Sequence, residues 1–192
     1  MAELAFNKNN ELCRDLVAPP GIDNLTSASV HSLVSFQNMT DTALPDHKIR
    51  LAVVADATEI AGCLSALGYG TSASLVAERL ASIATSLTDA VFVAFAARQT
   101  SLLGVISVHL LPLFHAPGFL GRITSLAVNS EARGKGVGKA LVTAAEEWAW
   151  NKDSRRMEVT SGDHRQSAHA FYQAAGYSLD ERRFIKHAPK VS

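Results

Sequence analysis

Arg133-Gly134-Lys135-Gly136-Val137-Gly138-Lys139 is the stretch around which the rest of this chain can be read. It follows an apolar run, Arg122-Ile123-Thr124-Ser125-Leu126-Ala127-Val128, that reads as a strand, and it precedes a helical pattern from Lys139 to Trp150. Three glycines let backbone N–H groups approach an anion, and a helix start adds unpaired donors with a partial positive charge. Arg133, Lys135 and Lys139 supply formal charge for phosphate. The plainer reading is a tight turn with a solvated basic rim. Strand before, helix after and three cations between favour the phosphate reading.

Two familiar nucleotide loops are excluded. Gly138-Lys139 is followed by Ala140 instead of a magnesium-binding hydroxyl, and Arg133 stands where a P-loop has its first glycine. The dinucleotide pattern G-x-G-x-x-G fails as well, because Gly134 and Gly136 lead to Lys139, and Gly136 and Gly138 lead to Leu141.

Downstream, the helix over Lys139–Trp150 carries Leu141, Ala144, Ala145 and Trp148 on its apolar face, with Glu146 and Glu147 outward. Arg156–Thr160 reads as a strand, Ser167–Ala174 as a short helix stopped at Gly176, and Phe184–His187 as a last strand. Upstream, Ile49–Ala55 reads as a strand ending at Asp56, followed by a helix over Ala57–Leu67. Ser72 is placed to cap a second helix through Leu75, Val76, Leu80 and Ile83. Ala90–Ala96 and Ser101–Leu111, joined by the polar Arg98-Gln99-Thr100, predict an antiparallel hairpin. Residues 1–45 are rich in Asn, Ser, Thr and Asp, are broken by Pro19-Pro20-Gly21, and read as an extension with a short helix near Ser29–Phe36. The order predicts an N-terminal extension over 1–45 and an α/β (α+β) sandwich around a mixed sheet over 46–192.

A length of 192 residues suits one such domain, and 47% hydrophobic with 19% charged residues excludes a disordered chain. Lys and Arg number 18 against 18 Asp and Glu, which argues against coating nucleic acid or membrane by bulk charge. Two cysteines, Cys13 and Cys63, are too few for a disulfide framework and have no metal-ligand spacing. The N-terminus lacks the basic and apolar regions of a secretion signal, and the run Val105–Phe114 is far short of a membrane span. A cytoplasmic protein with no metal and no membrane partner is the expectation. The neutral total hides a split: residues 1–130 hold 7 basic and 10 acidic side chains, residues 131–192 hold 11 and 8. The basic excess lies with the glycine loop.

Arg133-x-x-Gly136-x-Gly138, after Leu126-Ala127-Val128, resembles the acetyl-CoA pyrophosphate loop of the GNAT superfamily of N-acetyltransferases. Ala168-His169-Ala170-Phe171-Tyr172-Gln173-Ala174-Ala175-Gly176-Tyr177 resembles that family's late helix, which ends in Tyr, three residues, Gly and an aromatic. The resemblance covers about residues 48–188 and implies a mostly antiparallel central sheet flanked by helices. It further implies acetyl transfer from acetyl-CoA to a primary amine, directly in a ternary complex. The backbone of Leu126, Ala127 and Val128 would pair with the pantetheine arm, and Arg133, Gly134, Lys135, Gly136, Val137, Gly138 and Lys139 would hold the phosphates. Tyr172 matches the tyrosine beside the CoA sulfur, where a phenol can protonate the leaving thiolate.

The general base is not apparent. Many relatives carry a carboxylate on the strand before the loop, and Arg122-Ile123-Thr124-Ser125-Leu126 has none. Glu158 is one candidate, relay through water another, and an amine arriving neutral a third. His109 and His115 fall where acceptors of such enzymes often lie, although a lone histidine is more often structural. His164 and His169, five apart, do not align as metal ligands on a helix. Arg165 stands where many relatives have Asn. The segment 57–83 with Leu67-Gly68-Tyr69 would form the acceptor lip, and it leaves the amine undetermined. Small-molecule amines are the leading acceptors. The alternatives are a protein N-terminal or lysine acetyltransferase and a non-catalytic acyl-CoA sensor or partner module. Nucleic acid is not an expected partner, whereas a homodimer embraced by the 1–45 arm is compatible with the sequence.

Overall fold

The computed structural model describes residues 47–96, 101–180 and 185–188. Alternating apolar positions build a five-stranded sheet in chain order: β1 (His47–Leu51), β2 (Asp89–Ala96), β3 (Leu102–Pro112), β4 (Phe119–Val128) and β5 (Ser154–Val159). β1 to β4 pair antiparallel, and β5 joins β4 in parallel. A parallel pair needs a crossover, supplied here by α3 (Val137–Trp150). The remaining helices are α1 (Ala57–Ser65), α2 (Ala73–Ile83) and α4 (Gln166–Ala174).

Each sheet face buries its own core. Ile60, Val76 and Leu80 of α1 and α2 pack with Val93, Val105 and Ala127 on one face. Leu141, Val142 and Ala145 of α3 pack with Ala94, Ile106 and Ile123 on the other. The buried stripe of α3 is Val137, Leu141, Val142, Ala145 and Ala149, with Ala144 and Trp148 half-buried on its flank. Glu147 is exposed, whereas Glu146 is half-buried. Ser72 caps α2 as its position suggested, accepting from the Leu75 N–H at 3.2 Å.

Two expected strands are corrected. β1 ends at Leu51, and Val54–Asp56 is a single 3₁₀ turn instead of strand. The cause is Asp56. Its carboxylate accepts the Val53 N–H at 2.8 Å and both terminal nitrogens of Arg50, at 2.7 and 2.8 Å, which folds the chain back on itself. Arg50, hydrogen-bonded to it, holds the Asp56 carboxyl below its ordinary range, and the Val53 N–H adds to this. A carboxylate depressed in this way contributes stability above its unfolded pKa, and loses it as pH falls through the folded value. Asp56→Ala is expected to cost about 2 kcal/mol at neutral pH, in urea melts. The difference from wild type should shrink in acid, where wild type loses the same bonds.

The other correction concerns Phe184–His187. Residues 185–188 form no strand, and Phe184 lies outside the described residues. Ile185 is exposed, as are Lys186, His187 and Ala188, so the segment has no alternating apolar face to bury against β5. The expected extension over 1–45, its short helix and the dimer arm also lie outside the described residues. Among the described residues no helix is long and apolar enough to cross a membrane.

Candidate active site

The site begins with a strand that loses one neighbour. β5 follows β4 only from Phe119 opposite Ser154 to Ile123 opposite Val159. β4 continues to Val128 paired with β3 alone. At the point of separation Ser107 faces Ser125 and Val108 faces Ile123, so Thr124 is an extra, bulged residue. A bulge bends its strand and increases its twist, which steers β4 away from β5. The resulting cleft has a volume of about 1220 Å³ and is lined by Leu126, Val128, Arg133, Gly136, Lys139 and Tyr172, among others.

Backbone direction on the free edge follows from two hydrogen bonds. The Asn129 N–H donates to the Leu103 carbonyl of β3 at 2.9 Å. On the opposite side, Arg133 Nε donates to the Val128 carbonyl at 3.2 Å. Since successive strand residues point their amides to alternate sides, Leu126 and Val128 present backbone groups to the cleft. Ala127 turns its own towards β3, and its side chain is buried. Two of the three strand residues expected in the site therefore face it. Asn129, unmarked in the sequence, anchors this end of β4. Its side-chain amide donates to the Leu102 carbonyl at 2.6 Å, and its amide oxygen accepts from the Cys63 thiol at 3.0 Å.

The chain then passes through a 3₁₀ turn, Ser130–Ala132, into the glycine loop. Gly134 and Gly136 have φ of +74° and +80°, a region that side chains rarely adopt. Gly136 immediately precedes α3, and the first bond into the helix is Ala140 N–H to Gly136 O at 3.0 Å. The N–H groups of Val137, Gly138 and Lys139 are thus left without acceptors within the helix, at its positive end. A side chain on Gly138 would place its Cβ 3.3 Å from the Phe171 ring, so glycine also sets how closely α4 approaches. Arg133 and Lys139 line the cleft. Lys135 lines a second hollow of about 280 Å³ with His47 and Glu131, and the Val137 side chain is core.

Tyr172 stands on the far wall, on α4. The sequence pattern Tyr, three residues, Gly, aromatic has a structural cause: it is a helix stop. Gly176 adopts φ +93°, Tyr177 N–H donates to Tyr172 O at 2.9 Å, and Gly176 N–H to Gln173 O at 3.0 Å. This is a Schellman ending, which brings the residue after glycine back onto the last turn. Tyr177 accordingly packs edge-on against Tyr172 with centroids 5.6 Å apart, and Phe171 does so at 5.1 Å. The Tyr172 ring is held from both sides, and its hydroxyl has no hydrogen-bond partner among the described residues. Burial pushes its pKa up to about 12, against an opposing pull from Arg165.

A peeled strand edge, a glycine loop on a helix start and a half-buried phenol share one cleft. Residues 34–177 match the acetyltransferase (GNAT) family. The chain belongs to this family. A curated relative of this GNAT chain is the aminoalkylphosphonate N-acetyltransferase of Salmonella typhimurium, 33% identical over 91 residues. That match covers 47% of the present chain and 59% of the relative, so the chain spans less than two thirds of that protein's length. The fold recurs in a transcriptional regulator from Bacillus halodurans C-125, with TM-score 0.67, 20% identity and coverage of 74% of this chain and 99% of that one. It recurs too in AAC(6')-Iy bound to the bisubstrate analogue CoA-S-monomethyl-acetylneamine, with TM-score 0.65, 19% identity and coverage of 74% and 98%. At these identities the two structures establish the fold alone.

The remaining sequence candidates of the GNAT chain separate clearly. Glu158 does not line the cleft; it is paired with Arg122 at 3.2 Å and with Arg156 at 3.0 Å. His115 lies in the β3–β4 connection, and the His169 ring donates to the Gly162 carbonyl at 3.1 Å. His164 and Arg165 line the cleft, and Arg165 reaches the Leu67 carbonyl at 3.4 Å. Leu67 and Tyr69, from the segment expected as the acceptor lip, line the cleft. Trp148 lies under the Lys152 ammonium at 5.4 Å, and Trp150 is exposed. His109 makes two side-chain hydrogen bonds, to Asp89 and to the bulged Thr124, and Thr124 lines the cleft. No motif marked Thr124, because a bulge is a property of pairing. Among the described residues no three His, Cys, Asp or Glu side chains gather as they would around a metal ion.

Proposed function

We propose that the protein transfers acetyl from acetyl-CoA to a primary amine of a small molecule, directly, within one ternary complex. The observation that carries this reading is the succession of β4 and α3: a strand edge free of β5 leads, through one 3₁₀ turn and the glycine loop, to a helix N-terminus that opens on the same cleft. The amides of Leu126 and Val128 suit an extended amide-bearing arm added as a further strand. The free N–H groups of Val137, Gly138 and Lys139, with the charges of Arg133 and Lys139, suit its pyrophosphate. Lys135, beside a different hollow, has no part in this assignment beyond its backbone.

Acetyl-CoA brings an activated thioester whose carbonyl gains negative charge as the amine attacks. A β4 N–H stabilises that charge. Tyr172, fully protonated at neutral pH with a pKa of about 12, donates its proton to the departing sulfur. The acceptor enters past Leu67 and Tyr69. Aminoalkylphosphonates belong on the list of amines to try, since the Salmonella relative carries that name. A cytoplasmic location suits the buried, free Cys63 thiol.

The test is thiol release from acetyl-CoA across amino sugars, aminoglycosides, polyamines, amino acids, aminoalkylphosphonates and peptides. Release with a small amine, saturable in both substrates and without a burst of acetylated enzyme, is the expected result. Tight acetyl-CoA binding with no release for any amine would replace the enzyme reading by that of an acyl-CoA sensor.

A further inference from the structure

We infer that Thr124, His109 and Asp89 form a relay that takes the proton from the acceptor ammonium; this rests on the acetyltransferase reading above. Strand pairing places Asp89 of β2 directly opposite His109 of β3, and His109 opposite Arg122 of β4, which in turn faces Glu158 of β5. This row shares a sheet face with Val93 and Val105, but those are buried under α1 and α2. The Asp89 and His109 side chains keep 30% and 33% of their surface exposed. A polar floor thus continues the face beyond its helical cover. The bulge brings one more group onto that floor, because Thr124 bonds Ser107 and His109 from β4 while itself lining the cleft.

The order of contacts is what points to a relay. His109 Nδ1 lies 2.6 Å from Asp89 Oδ1, and Nε2 lies 2.9 Å from Thr124 Oγ1. Asp89 Oδ2 accepts from the hydroxyls of Ser86 at 2.6 Å and Thr88 at 3.1 Å. The Ser86 bond first, then those of His109 and Thr88, lower the Asp89 pKa, so the carboxylate is ionised at neutral pH. In the neutral imidazole an ionised acceptor at Nδ1 selects the tautomer with its proton there, and that tautomer turns the Nε2 lone pair to the Thr124 hydroxyl. Ser107 Oγ, 2.7 Å from Thr124 Oγ1, can donate to that oxygen and still leave a lone pair for an incoming ammonium. The other charges facing His109 are Arg122 across the strand pair and Glu158, which is itself bonded to Arg122.

In the proposed step, the ammonium gives a proton to Thr124 Oγ1 as the Thr124 hydroxyl proton passes to His109 Nε2. The imidazolium so formed is stabilised by Asp89 and later returns the proton to water. The freed nitrogen lone pair forms the C–N bond and the C–S bond breaks. The sulfur takes the Tyr172 proton, and the second nitrogen proton replaces it on the phenol. Thr124 touches the substrate; His109 and Asp89 act through it as positioning and proton-accepting groups. This supplies the base that the strand sequence lacks, from residues 15 and 20 positions apart.

The test is the pH profile of kcat/KM for the amine in wild type, His109→Gln and Thr124→Val, together with acetyl-CoA affinity and a thermal melt. At pH 7 both variants should lose on the order of a hundredfold in kcat/KM, with acetyl-CoA affinity unchanged. Above about pH 10, where a primary amine deprotonates by itself, both should approach wild type. A loss that persists at every pH, or no loss at pH 7, overturns the relay. Thr124 is exposed, so Thr124→Val decides the matter even where His109→Gln lowers the melting temperature. Wild-type turnover with unchanged variants refutes the relay alone, whereas no wild-type turnover with any amine removes both readings.

Discussion

Tyr172→Phe is expected to lower kcat about a thousandfold and to leave the dissociation constant for acetyl-CoA within about twofold. The ring survives the change, and with it the edge-on contacts to Phe171 and Tyr177 that set its orientation. What disappears is one hydroxyl with no partner among the described residues, so no buried group is left unsatisfied. The thiolate must then leave without a proton, and general acid help of this kind is worth about 10² to 10⁴ in rate. Because burial raises this phenol to about 12, the wild-type rate should show no loss from Tyr172 ionisation between pH 7 and 10. Single-turnover thiol release measures the chemical step and isothermal titration measures binding. Equal rates for the two proteins would remove Tyr172 from the reaction.

Gly136→Val is expected to raise the KM for acetyl-CoA by about two orders of magnitude. The space around Gly136 is not the reason, since the nearest atom to an added Cβ is His47 Cε1 at 4.0 Å. Its φ of +80° is, because a β-branched residue there is strained by about 1–3 kcal/mol. The loop would relieve that strain by turning, so that the N–H groups at the start of α3 would cease to converge. Losing two bonds to a charged group, at about 1.5–3 kcal/mol each, accounts for the rise. Gly134→Ala provides the control: it too has positive φ with open surroundings, but it lies outside the helix start, and a smaller rise is expected. Initial-rate kinetics with acetyl-CoA varied check both. An unchanged KM in Gly136→Val would show that phosphate is held elsewhere.

Both variants alter features that are legible in the amino-acid sequence, and that legibility has a local cause. Gly136 and Gly138 serve a turn and a helix start within a few residues of themselves. The Tyr172–Gly176–Tyr177 pattern is a helix ending, closed by hydrogen bonds spanning five residues at most. Helix caps and period are likewise legible at Ser72 and along α3. The strand expected over Ile49–Ala55 shows the limit of local reading. Ala52, Val53, Val54 and Ala55 are as apolar as a strand should be, yet the Asp56 carboxylate, held by Arg50, ends the strand and Val54–Asp56 form a 3₁₀ turn. A single polar group with two partners outweighs a run of weak propensities.

The general base shows the same limit at longer range. β4 holds no carboxylate, and period two leaves Glu158 facing either cleft or solvent. Only pairing places Glu158 between two arginines, and only pairing puts Asp89, His109 and Thr124 in one line.

By itself, then, the amino-acid sequence made legible the family, a glycine loop at a helix start, the tyrosine-glycine helix ending and nearly all of the elements, because each depends on contacts a few residues apart. The tertiary structure alone decided which β4 amides face the cleft, that Lys135 turns away from it, and that a histidine stands behind the bulged threonine. The Lys135 direction follows the positive-φ turns at Gly134 and Gly136, and the other two depend on strand register, where one inserted residue reverses every side chain that follows it. No local pattern records such an insertion; the neighbouring strand does.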